Sequence, residues 1–554
     1  MIWEHSFYLN HSGNLFQWTC YLFSAGFFYA EIHYQFKGIY SRLKHLFPEI
    51  LADAPHRLEP GQKLPVLVII KDAHLFPIEL RTIRVDFKLN GEGLSHKILF
   101  DNSLKLDSPF WHRQFWLDPS GMNTGTIELN VTITIRHKKK IYNFQNDNYT
   151  GTSHAPLRVK ISSSKLPCLP GLFYGDLHTH SNYTSDQVEF GAPLPAIQEA
   201  AEAVGLSFVA VTDHSYDLDD FIDNYIKNDP KLTKWKRFRK ELSQLNKPSN
   251  GKKPIMISGE EVTVRNRRNR NVHFLILNDP RFHKGSGDGA EKWFKFYSES
   301  SIPDLLQKIP DTAAAIAAHP AVPVPKLESI LINRGKWEMP DILHKNLSGL
   351  QILNGAIDQG FMDGLRLWKW SLAGGYKKYI YAGTDAHGNF NRYRQVRFPF
   401  FKMHEKDSQI LGKTRTGVFA DSFSFEAILN ALKRGRCFIT DGPALNFTAQ
   451  NENREIAEMG STISGGTFEI QADFKSTPEF GKLHKIKLLL GKIDRSGAKI
   501  QETQLRFQER KESNFRSRIF RKIELSRKEV YLRLEAATDT GKASFSNPIW
   551  LELK

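Results

Sequence analysis

A chain of 554 residues is longer than one ordinary hydrophobic core organises, so two to four structural units are expected. With 40% hydrophobic, 25% charged and 12% aromatic residues, the composition is that of a globular protein and excludes wholesale disorder. A net charge of +16 admits an anionic substrate, a membrane surface or nucleic acid, while three distant cysteines (Cys20, Cys168, Cys437) support neither a disulfide framework nor a cysteine metal site.

Leu15 to Ala30 (LFQWTCYLFSAGFFYA) is apolar and aromatic, but Gln17, Thr19 and Ser24 interrupt it and no Lys or Arg precedes it. A signal peptide and a membrane span are therefore disfavoured, and the expectation is a cytoplasmic protein with no membrane partner. Residues 1–165 read as a β-rich, sandwich-like domain: Leu64 to Lys71, Arg81 to Leu89 and Thr126 to His137 are β-branched or alternating. In the last of these Ile127, Leu129, Val131, Ile133 and Ile135 fall on one face.

Residues 166–445 change rhythm. Seven apolar runs recur: Leu172–Leu177, Ser207–Val211, Pro254–Ile257, His273–Leu277, Ala313–Ala317, Gly349–Leu353 and Tyr379–Ala382. Helical patterns follow several of them, such as Pro195 to Val204 ending at Gly205. Strands alternating with helices predict an α/β fold with a mainly parallel sheet, closed as a distorted seven-stranded, TIM-like (β/α) barrel. Residues 446–554 read as a second β-rich domain. Within it Lys511 to Lys528 interleaves Lys and Arg with Phe515, Ile519, Phe520 and Ile523, as on an exposed strand pair. That strip keeps nucleic acid as a weaker partner alternative.

Metal-type side chains accompany every run but the sixth. They are His178 and His180 (DLHTHS), Asp213 and His214 (TDHS), Glu260 and Glu261 (GEE), His273, His319 (AHP), and Asp385 and His387 (TDAHG), with Asp186 in the loop after His180. Residues two apart on a strand face the same way, so His178 and His180 can reach one ion. Gathering so many carboxylates and imidazoles at strand ends without cations would leave like charges crowded in a poorly hydrated cleft. Mixed His and carboxylate ligands without Cys suit Zn, Mn or Fe.

These motifs, in this order across about 175–390, resemble the set found in the PHP (polymerase and histidinol phosphatase) superfamily, and within it metallohydrolases of the CehA/McbA type. GRCFITDGPAL (Gly435 to Leu445), after a short helix over Ser424 to Arg434, adds to the likeness. The resemblance implies two or three divalent ions. His178, His180, Glu261 and Asp385 would hold the first; Glu261 would bridge to a second, completed by His273 and His319. Asp186, His214 and His387 would hold the third, with Asp217 or Asp219 as alternatives to Asp186. Glu261 and Asp385 would then orient a metal-held hydroxide, and Asp176 and Asp213 would each orient a liganding imidazole. Glu260 reads as structural.

Two arginine groups are candidates for an anionic ester substrate: Arg265, Arg267, Arg268 and Arg270 before His273, and Arg392 and Arg394 after His387. The leading expectation is a metal-dependent phosphoesterase. A carbamate or carboxylic ester hydrolase, a nuclease and a non-catalytic metal scaffold are the alternatives. No GxSxG, P-loop or suitably placed GxGxxG occurs.

Overall fold

The computed structural model describes residues 47–119, 124–184, 191–222, 224–247, 253–287, 295–397, 402–495 and 499–554. The Leu15–Ala30 run and Asp186 lie outside them. Among the described residues no helix is long and apolar enough to cross a membrane.

The first part is built from two sheets, one with two strands buried along their whole length and one with an alternating central strand. A three-stranded sheet (Glu49–Asp53, Leu64–Lys71, Phe110–Leu117) and a six-stranded sheet centred on Gly125–His137 share an apolar core. Along Gly125–His137, Ile127, Leu129, Val131, Ile133 and Ile135 are buried, while the residues between them are partly exposed. This puts one face of the strand in the core with Val68 and Ile83.

All seven apolar runs of the middle part are strands, and all lie in one sheet. Its order is Tyr379–Gly383, Gly349–Asn354, Ala314–Ala318, Asn271–Leu277, Ile255–Arg265, Phe208–Val211, Leu172–His180. The Leu194–Val204 helix ends at Gly205 in the left-handed conformation (φ 88°), and the Phe425–Lys433 helix is capped by the Ser424 side chain.

The seven-unit (β/α) barrel expected from the sequence is corrected by this sheet. Strands hold 47% of the described residues and helices only 14%. Repeated β/α units require each strand to be returned by a helix to a parallel neighbour. Here Ile255–Arg265 turns directly into antiparallel Asn271–Leu277, which pairs antiparallel with Ala314–Ala318. Beyond Leu172–His180 the sheet continues through antiparallel Arg415–Phe419 and Cys437–Thr440. It then runs into Ala543–Ser546, Glu529–Thr538 and Leu483–Lys492, so one mixed, curled sheet extends past residue 446. The apolar runs revealed strands but not their directions, because a buried strand reads alike in either orientation.

The curl is what gathers the polar strand ends. Just past Tyr379–Gly383, the Asp385 N–H donates to the His178 carbonyl at 2.7 Å, and Ala386–His387 pairs in parallel with Thr179–His180. In the last part, the Lys511–Lys528 stretch contributes to the paired strands Gln508–Ser513 and Arg516–Glu524, the former at the edge of a five-stranded sheet. Its cations are partly neutralised there, as in the Arg518–Asp473 pair at 2.7 Å.

Candidate metal centre

The registers just described bring the ligand-type side chains together. His180 faces His387 across the parallel bridge, and His214 faces Glu261 across another. Asp385 and His319 adopt positive φ (55° and 28°), conformations that non-glycine residues rarely occupy and that cluster at functional sites.

Three groups result: His178, His180, Glu261 and Asp385; Glu261, His273 and His319; His180, His214 and His387. In the first, His178 Nε2 lies 3.2 Å from His180 Nε2. Each of these nitrogens lies 3.3 Å from Glu261 Oε2 and 3.3 Å from Asp385 Oδ1. Ligands placed tetrahedrally about 2.0–2.1 Å from a zinc-sized ion are separated by about 3.3–3.4 Å, so these contacts have the lengths of tetrahedron edges. The other Glu261 oxygen, Oε1, lies 2.5 Å from His273 Nδ1 and 3.3 Å from His319 Nε2. One carboxylate therefore serves two groups. The His180 and His387 rings stack at 4.0 Å, and His214 Nδ1 is 3.1 Å from Glu261 Oε2.

The electrostatics suit ligation. Burial acts to raise both carboxylates, but His273 and His178 beside Glu261, and His178 and His180 beside Asp385, hold them well below the usual range. Burial lowers the His180 and His319 imidazoles, keeping them neutral. At His178 burial is outweighed by Asp385 and Glu261, which raise it to about 9. Anionic carboxylates and neutral imidazoles are the forms a cation binds, so His178, raised by the two carboxylates, would give up its proton as a cation took its place.

Supporting contacts aim the rings. His178 Nδ1 pairs with Gln351 Oε1 at 3.0 Å, and His387 Nδ1 with the Asp385 carbonyl at 3.0 Å, each leaving Nε2 to face the cluster. Asp385 Oδ2 accepts from Gln409 at 3.1 Å. Asp176 and Asp213 touch no imidazole, unlike the sequence expectation. Asp176 accepts from the backbone of His178, Thr384 and Gly412. Asp213 accepts from Ser181 and from Thr184, whose hydroxyl lies 3.4 Å from His180 Nδ1, so its influence on that ring passes through a threonine. Glu260 accepts from Trp235 and from the His283 backbone and joins none of the three groups. Asp217 and Asp219 are buried in and beside the Ser215–Leu218 helix and join none of the three groups.

A cleft of about 300 Å³ opens onto the cluster, lined by His214, Glu261, His273, His319, Asp385 and His387. None of the six arginines singled out in the sequence lines it. Arg265 bonds Asn269, Arg267 pairs with Asp341, Arg268 with Glu338, and Arg270 bonds Ser329 and Asn333. Arg392 and Arg394 face Glu405, Asp53 and Asp147. Among the described residues, the cations that line the cleft are Arg334 and Lys406. Arg334 Nη1 approaches His273 Nε2 at 2.5 Å, and Lys406 Nζ lies 5.4 Å from the centre of the Tyr393 ring. Neither Gln351 nor Arg334 was singled out in the sequence: Gln351 is a lone amide in an otherwise apolar run, a signal passed over, and Arg334 belongs to no motif.

No family model matches the chain, and no curated relative does. Alignments to solved structures include a glycosyl hydrolase family 2 member from Bacteroides cellulosilyticus DSM 14838 (9% identity, TM-score 0.17, covering 92% of this chain and 63% of that one). A β-D-mannosidase from Dictyoglomus thermophilum gives 8% identity and TM-score 0.22, with 90% of this chain and 66% of the other covered. A Parabacteroides merdae β-glucuronidase gives 9% and 0.19, with 92% and 65% covered. The chain thus spans less than two thirds of the length of each. At such scores neither the architecture nor the activity of those enzymes transfers to it.

Proposed function

We propose that this protein is a metal-dependent hydrolase related to the PHP superfamily, CehA/McbA branch, and that it cleaves a small anionic ester, foremost a phosphate ester. The observation that carries this reading is the set of 3.2–3.3 Å spacings among His178, His180, Glu261 and Asp385, with Glu261 shared by a second histidine pair. His178, His180, Glu261 and Asp385 would hold one ion, Glu261, His273 and His319 another, and His180, His214 and His387 a third. Zn, Mn or Fe bound there supplies Lewis acidity and brings the pKa of a coordinated water towards neutrality.

The chain's own residues do the rest. Gln351 and the Asp385 carbonyl fix ring orientation, and Gln409 holds Asp385. Arg334 and Lys406 bring positive charge to where an anionic oxygen of the substrate would lie, which favours a transition state gaining negative charge. Val322, Pro323, Val324 and Trp337 form an apolar stretch of wall for an organic group.

That apolar stretch also favours a second reading: a neutral carbamate or carboxylic ester. The test is metal-stripped protein reloaded with Mn, Zn or Fe and offered phosphomonoester, phosphodiester, naphthyl ester and naphthyl carbamate, with Asp385→Asn as blank. Metal-dependent turnover of a phosphate ester, absent from a folded Asp385→Asn, is expected. Turnover confined to the neutral esters selects the second reading. Failure to bind any metal sinks both.

A further inference from the structure

Among the described residues, the first part of the chain contributes no member of the three ligand groups, yet it grips the segment that follows His387. Asp53, at the end of the Glu49–Asp53 strand, accepts from the Phe390 N–H at 2.9 Å and lies 3.7 Å from Arg394 Nη1. Asp147 lies 3.6 Å from Arg394 Nε. The Arg394 side chain is only 4% exposed, so these carboxylates balance a charge that burial would otherwise penalise.

The grip is continuous. The His56 N–H donates to the Phe390 carbonyl at 2.8 Å. Asn391 exchanges two hydrogen bonds with the Arg158 backbone, at 3.1 and 2.8 Å. Arg392 donates to Ser153 and to the carbonyls of Ala155 and Pro156. The strand pair Tyr393–Arg397 and Lys402–Lys406, which brings Tyr393 and Lys406 to the cleft, is held from the same side by Met403 N–H to the Thr150 carbonyl and Ser153 N–H to Glu405. By contrast, the ladder at His387 itself is two residues long. Gly388, next in sequence, has φ 71° and sits so close to Ala192 and Gly191 that a Cβ would collide with their backbone. A segment with so short a ladder takes its position from what anchors its other end.

We infer that the N-terminal β region is the anchor of the His387–Arg394 segment, and that Asp53 and Arg394 are positioning residues for the His180–His214–His387 metal group. This rests on the metal-centre reading above. It makes ion occupancy separable: loosening the anchor frees His387 while His178, Glu261, His273 and His319, carried on other strands, keep their places.

The experiment uses the full chain, stripped with chelator and dialysed against graded manganese chloride, with bound metal counted per chain. The wild type is compared with Asp53→Asn, Arg394→Leu and Arg394→Lys, and with Arg392→Gln as a milder disruption if the first two fail to fold. Val131→Ala, which shortens a buried side chain of the N-terminal core and leaves every side chain of the anchor in place, serves as a control for general destabilisation. Asp53→Asn, Arg394→Leu and Arg392→Gln are expected to weaken one class of bound ion by about 10–100-fold and leave the rest unchanged. Arg394→Lys should recover part of that loss, and Val131→Ala should lower Tm with wild-type occupancy. Wild-type binding of every ion in the folded anchor variants, or an equal loss in Val131→Ala, overturns the inference. A wild-type chain that takes up no manganese overturns the metal-centre reading instead.

Discussion

Replacing Glu261 by Gln perturbs the cluster at its point of greatest leverage. The carboxylate is 1% exposed; Oε2 lies 3.3 Å from His178 and His180, and Oε1 lies 2.5 Å from His273 and 3.3 Å from His319. The amide keeps the shape, removes the charge and puts an N–H₂ where one ligand oxygen stood. Removing one partner from a buried charged pair costs about 3–5 kcal/mol. At about 1.4 kcal/mol per decade, this is roughly 10²- to 10⁴-fold in affinity. Because one carboxylate serves two groups, the loss should strike two ions together, whereas Asp385→Asn should strike only the ion of its own group. The assay is equilibrium dialysis of chelator-stripped protein against buffered Zn or Mn, with elemental analysis and circular dichroism to verify folding. A folded Glu261→Gln that loses no more metal than Asp385→Asn would refute the shared-carboxylate argument.

Other outcomes follow from the cleft and from the remote ion pairs. Arg334→Met should raise KM for a phosphate ester by about 10–100-fold, the range for losing a charge-assisted contact of about 1.5–3 kcal/mol, while barely altering a neutral ester. Equal loss on both substrates in steady-state kinetics would show that Arg334 supports the site rather than the substrate. Charge reversal at Arg267 and Arg268, which pair with Asp341 and Glu338 outside the cleft, should leave kcat/KM within about two-fold, since neither guanidinium lines the cleft. A drop beyond ten-fold would return these arginines to the substrate path. The Glu502 side chain is 7% exposed; burial acts to raise its pKa, but Arg533 and Lys369 lower it from 4.5 to about 2. Its contribution to stability is therefore full above about pH 4.5 and fades as pH falls towards 2, so Glu502→Gln should cost about 3 kcal/mol at pH 7 and progressively less in acid. Urea unfolding of both proteins at pH 7 and pH 3 checks this, and a gap that does not shrink at low pH would contradict it.

The ligand types and their strand-end positions were legible in the sequence for a local reason. A strand repeats every two residues, so His178 and His180 share a side, as do Asp385 and His387, and apolar runs mark where buried strands stop. The strand ranges followed as well: the expected Leu64 to Lys71 forms entire, and Ile127 to Ile135 bury the face assigned to them. Strand direction did not. The Ile255–Arg265 and Asn271–Leu277 hairpin and the continuation of the sheet into the last part of the chain are pairings between distant segments, which no local period encodes.

The roles of charged residues divide along the same line. Arg392 and Arg394 stand a few residues from His387 in sequence, yet their side chains turn to Ser153, Asp53 and Asp147, because a buried guanidinium goes where carboxylates and carbonyls await it. Arg334, distant from every motif, reaches His273 through the path of the segment after His319. Chain chemistry alone thus determined which groups are able to bind a cation and on which strands they lie. Only the curl of the sheet, which joins Asp385 to His178 and His387 to His180, decided that they meet, that Glu261 is shared, and which cations face the cleft. Side-chain type and spacing are local properties of a chain, whereas distances between strand ends are set by packing and hydrogen bonding summed over the whole sheet.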